Sequence, residues 1–207
     1  MTSTQLAQVS TDRIAALDQS QLSTLSTAQI RGFGSDDIAA INSGDVQTLS
    51  TSVLRALTSA QIAGFTANAV GNLTAAQIGA LTTTALNAMA TDRIAAISED
   101  AILGLTTLQL SKLGTEDATA LTSIQVAQLN SAQIGALSTA ALNTLSSDEG
   151  ASISTAAIPG LTTQQLNALT ATPVQGWSVD QYNALSVEQR SRLSADAVVA
   201  LGPVSEG

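Results

Sequence analysis

Large apolar residues fall at every eighth position of this chain without a slip. The series begins at Val9 and steps through Leu17, Leu25, Phe33 and Ile41 to Leu193 and Leu201, 25 positions in all. A second apolar series runs three residues ahead of it, from Leu6 through Ile14, Leu22 and Ile30 to Val198. It is interrupted at Ala118, Gly150 and Arg190, and Tyr182 fits it in part. Residues 2–201 therefore form 25 octads, with the two series at positions 5 and 8. In the stretch LSTAQIRGF, Ser26 is position 1, Gln29 position 4, Ile30 position 5 and Phe33 position 8.

The polar positions repeat with the same period. Position 1 is Ser or Thr in 19 of 25 octads, and only Ala90 among the other six falls outside the residues that cap helix N-termini. A short side-chain oxygen there accepts from a free backbone N–H of the first turn. Position 4 is Gln or Glu in about half the octads, completing the Ser/Thr-x-x-Gln/Glu capping box. Leu25 and Ile30 have the spacing of the hydrophobic staple that fixes the entry of a helix. Fifteen of the 16 acidic residues lie at positions 1–4, the end of a helix that favours anions. Arg31, Arg55, Lys112 and Arg192 lie at positions 6 and 7, whereas Arg13, Arg93 and Arg190 do not.

The pattern predicts a helix start in nearly every octad and excludes three other architectures. Eight residues of continuous helix turn by roughly 800°, so an apolar stripe would drift about 80° per octad. The period-two alternation of a half-buried strand is absent. Two regular apolar positions per octad argue against disorder. What remains is an all-α solenoid of one- to two-turn helices, one per octad, with positions 5 and 8 on one face as i, i+3 neighbours. No single octad can bury that face, so the units must stack. Residues 2–201 read as one such array and 202–207 as a C-terminal tail after the Gly202-Pro203 break. Gly150 at a core position, with Pro159 and Pro173 downstream, predicts a bend near residues 146–160. A longer echo suggests block duplication: TAAQIGALTTTALNAM from Thr74 returns as NSAQIGALSTAALNTL from Asn130.

Composition narrows the function. The net charge of −9 and the single lysine, Lys112, argue against nucleic acid and anionic lipid as partners. No apolar run reaches the roughly 18–20 residues of a membrane span, and the opening MTSTQLAQVSTDR has no basic and apolar regions of a cleavable signal. The chain has no Cys and no His, which removes thiolate chemistry and the usual activator of a serine or threonine nucleophile. No catalytic residue, cofactor site or metal site is expected. The acidic pairs Asp36-Asp37, Glu99-Asp100, Glu116-Asp117 and Asp148-Glu149 lack the spaced ligands of a calcium loop and read as first-turn residues. Phe33, Phe65, Trp177 and Tyr182 stand in core registers rather than at a stacking site. Arg13 and Arg93, in the echoed TDRIAA units, are expected to pair with local acids. The Asn72 sequon NLT lies at an expected helix end. Adjacent hydroxyls at positions 1 and 2 could align into a ladder that binds ice, glycan or mineral, although capping already accounts for position 1.

Units such as TAAQIGAL (Thr74–Leu81) and STAQIRGF (Ser26–Phe33) resemble the Ser/Thr-Thr-Ala-Gln-Ile-Ala-Ala-Leu octapeptide runs of large repetitive bacterial surface and secreted proteins. The resemblance covers about residues 2–201 and implies an adhesin-like, extracellular setting and a place within a larger protein. The leading expectation is a spacer or scaffold. The alternative is a binding module recognising protein, peptide, glycan or ice through one face, or self-associating end to end.

Overall fold

The structure is a computed structural model that describes residue 5 and residues 8–202. The expected core residue Leu6 and most of the tail lie outside the described residues. Among the described residues there are 22 α-helices of four to seven residues and two 3-10 turns. Every one of the 22 starts at position 2, from Thr11–Ala15 through Thr51–Ala56 to Ala195–Leu201. The described residues form an all-α solenoid with one short helical segment, α or 3-10, in each octad from residue 10 onward. It divides into two compact units, one ending at Leu105 and the other beginning at Thr106.

Position 1 is the N-cap throughout. Ser26, Thr74, Ser98, Asn130 and Ser194 are extended in backbone and accept from the amide three residues on. Five N-caps lack this bond. Gly34, Ala90 and Gly114 have no side-chain oxygen to offer. Thr170 faces Pro173, which has no N–H to give. Nothing in the structure explains the fifth, Ser10. Eleven position-4 side chains, ten Gln and Glu149, close a full capping box, as in Thr58–Gln61 and Ser146–Glu149. All but the last helix then stop because the next position-8 residue turns to extended backbone, as Leu57 and Phe65 do at φ −66° and −60°, or follows a short αR turn, whereas Ala195–Leu201 runs through position 8 to Gly202 at φ 48°.

Two octads depart from the helical expectation. In residues 42–49 the Asn42 side chain accepts from the Gly44 amide at 3.0 Å, a local turn that displaces the first helical turn. In residues 154–161 Pro159 cannot donate a helical bond. Both delay regular structure to short 3-10 turns at Val46–Thr48 and Ile158–Gly160.

Within each unit, helices pack against the helix three octads away. In the first, Thr51–Ala56 meets Ala75–Ala80 and Ser35–Ala40 meets Ser59–Gly64, with starting residues 24 apart in both pairs. In the second, Ser123–Gln128 meets Ser147–Ser152, and that helix meets Ala171–Val174. Position 8 is buried in every octad from Phe33 to Leu185, and position 5 from Ile14 to Val174. Position 4 is a third interior register: Gln61, Gln77 and Gln165 are buried there, as are Ala69, Ala101 and Ala157. Ala118 and Gly150, the small residues of the position-5 series, are buried with the rest. A Cβ on Gly150 would overlap the Pro173 carbonyl, so this glycine admits the next coil's backbone. Gly104 and Gly160, both at position 7, do the same for the position-2 residues Ala75 and Ser131 of the coil three octads earlier.

Candidate functional surface

The most regular chemical feature is interior. The Gln61 amide donates to the carbonyls of Phe33 and Ile30, 28 and 31 residues back, at 2.8 and 2.7 Å. Its Oε1 accepts from the Thr58 amide at 2.9 Å, so one side chain caps its own helix and holds an earlier one. Gln77 repeats this on Leu49, Gln47 and Val46 at 2.8, 3.2 and 2.9 Å. In the second unit Gln165 donates to Leu137 and Ile134, and Gln181 to Ile153, Ala151 and Gly150. Gln189 donates to Leu161 and Pro159. The acceptors stand at positions 5, 6 and 8 of the octad four before, carbonyls left over at the end of its helix. Side-chain bonds at four octads and helix contacts at three place each superhelical turn between three and four octads.

The sequence reading found the capping role of position 4 but not this second one. The signal was present: a capping box needs only an acceptor, which Glu supplies, yet the chain uses 11 Gln and one Glu there. Only an amide also carries donors to reach another coil.

The other candidate residues are dispersed along the chain. In the pairs Asp36-Asp37 and Asp148-Glu149 the first acid is exposed and the second turns in to its N-cap amide, at 2.9 Å on Gly34 and 2.7 Å on Ser146. In Glu116-Asp117 the first is exposed and the second buried, and burial, with Glu116 adding to it, pushes the Asp117 carboxyl up from its ordinary value. Glu99 and Asp100 are exposed first-turn residues. Among the described residues no three acids gather as a metal-ligating group. Phe33, Phe65 and Trp177 are buried core residues. Arg13 is exposed, and Arg93 is half-buried at position 4, its Nε without a hydrogen-bond partner. Asn72 is a helix C-cap whose amide donates to the Asn68 carbonyl at 2.9 Å. Position-1 hydroxyls at the starts of the described α-helices are engaged as caps, except those of Ser10 and Thr170. Position 2 stays small where a later coil's glycine backs onto it, as Gly64 does onto Ser35. A shallow depression at the first octads is lined by Gln5, Gln8, Val9, Ser10 and Arg13. No helix among the described residues is long and apolar enough to cross a membrane.

These features define a helical repeat module. Residues 14–51 and 38–75 match the model of the ALTTAQ repeat. The second match begins 24 residues after the first, the same three-octad step that separates packed helices. No curated protein matches the chain in sequence.

Proposed function

We infer that this module is a spacer or scaffold, a length of self-supporting solenoid that sets distance within a larger assembly. The observation that carries the reading is the glutamine ladder. The regularly spaced polar groups of the octad are turned on the chain itself, capping its helices and tying each coil to an earlier one. A bacterial surface or secreted setting belongs to the same proposal and is supported by the octapeptide resemblance and the cysteine-free composition.

The test is insertion of whole coils. Copies of residues 138–161, three octads, are inserted in tandem after Leu161 and the maximum dimension is measured by small-angle scattering. A spacer lengthens by a constant increment per insert, and the protein is silent in a glycan array and in thermal hysteresis. A dimension that does not grow with the inserts, or a glycan or ice signal abolished by changing position-2 hydroxyls, overturns the reading in favour of a binding module.

A further inference from the structure

We propose that Arg190 occupies the ladder acceptors of residues 178–185 and thereby keeps this face from stacking on a second copy of the chain. Arg190 occupies position 5, which is apolar in most octads. Its guanidinium lies over the Tyr182 ring, 4.9 Å from the centroid. Its Nε donates to the Leu185 carbonyl at 3.1 Å and its Nη2 to the Asn183 carbonyl at 3.0 Å. Those acceptors are positions 8 and 6 of their octad, two of the three carbonyl positions that Gln77 and Gln181 take from a later coil. Arg190 thus serves, from within the same coil, the groups that a following coil's glutamine would seek. Its planar fork reaches two carbonyls while its face rests on an aromatic ring, a combination lysine does not offer.

The neighbouring octad uses a second substitute. Residues 194–201 carry Ala197 at position 4, and there the Ser194 amide donates to the Leu166 carbonyl at 3.0 Å and its hydroxyl to Leu169. These are again the position-5 and position-8 carbonyls four octads back. On this face the position-5 side chains Tyr182 and Arg190 are half-buried and Val198 is 43% exposed. An apolar solenoid face left open invites stacking, and polar groups on it oppose that. Here one cation between Tyr182 and Val198 interrupts an otherwise apolar row, and it has already consumed the acceptors beneath it.

The experiment is sedimentation equilibrium of the whole chain, wild type against Arg190→Leu, over a concentration series, with circular dichroism to follow the fold. The wild type sediments at the monomer mass throughout. Arg190→Leu exposes a continuous apolar row and two free carbonyls, and its mean mass rises toward the dimer. Arg190→Leu combined with Val198→Arg restores a cation to this face and returns the mass to the monomer. A wild type that associates, an Arg190→Leu chain that stays monomeric, or a double variant that stays associated each overturns the proposal. If Arg190→Leu precipitates, the soluble or insoluble state of the double variant decides the matter in the same way.

Discussion

Gln77 shows how much a single side chain carries. Its oxygen caps Thr74 at 2.9 Å and its nitrogen serves three carbonyls of the coil behind. Gln77→Glu keeps the acceptor, removes the donors and buries a charge. It is expected to cost about 2–4 kcal/mol in urea denaturation, as unsatisfied buried polar groups do. Gln21→Glu is the control: Gln21 is exposed, forms only the capping box, and its replacement should stay within about 0.5 kcal/mol. Equal losses at the two positions would contradict the ladder's role. Asp117 gives a pH test. Its folded-state pKa is raised by burial and by Glu116, so the folded chain holds the proton more tightly than the unfolded one. Asp117 therefore weakens the fold as pH rises through the carboxylate range. Asp117→Asn should raise the denaturation midpoint at neutral pH and match the wild type at acid pH, where the carboxyl is already neutral. At this scale the caps were legible in the sequence, because an N-cap is a local bond between residues three apart. The ladder was not, because its partners lie 28 and 31 residues away and depend on a superhelical pitch that one octad does not encode.

The helices begin where the sequence says and vary in how they are closed. Thr162 caps the Gln165 amide at 3.2 Å, and Thr162→Ala should cost about 1 kcal/mol. Thr170→Ala should cost less, since Pro173 leaves the Thr170 hydroxyl without its usual donor. Thermal denaturation of the pair checks the difference. Close approach between coils is the stricter demand. A Cβ on Gly104 would overlap the Ala75 carbonyl, backbone that cannot swing aside. Gly104→Ala should lower stability by several times the cost of a lost cap, read in the same melts. Position periodicity revealed that helices would be short, but not that octads 42–49 and 154–161 would tighten into 3-10 turns. Those depend on the Asn42 side-chain bond and on Pro159, local competitors that a repeat-wide pattern averages away.

At the scale of the whole chain the octad is the sequence repeat, while the structural step is three octads. Removing residues 138–161 from the second unit preserves every register and every three-octad contact type, and should leave a cooperative fold with a proportionally smaller denaturant slope. Removing only residues 138–141 throws positions 4, 5 and 8 out of phase with the neighbouring coils and should destabilise the unit more, despite deleting fewer residues. Denaturant curves of the two deletions decide this, and a greater loss from the larger deletion would count against the coil picture. The step itself could not be read from the sequence, since a period of eight is compatible with any number of octads per turn. One property of the ladder reaches past the finished fold. Its glutamines in each unit donate to carbonyls that precede them, no more than 31 residues upstream. A nascent chain leaving the ribosome therefore finds its acceptors already made, and each coil can be fastened as it emerges. Because that reach does not grow with the number of octads, chain length adds to the time of synthesis and little to the search for partners.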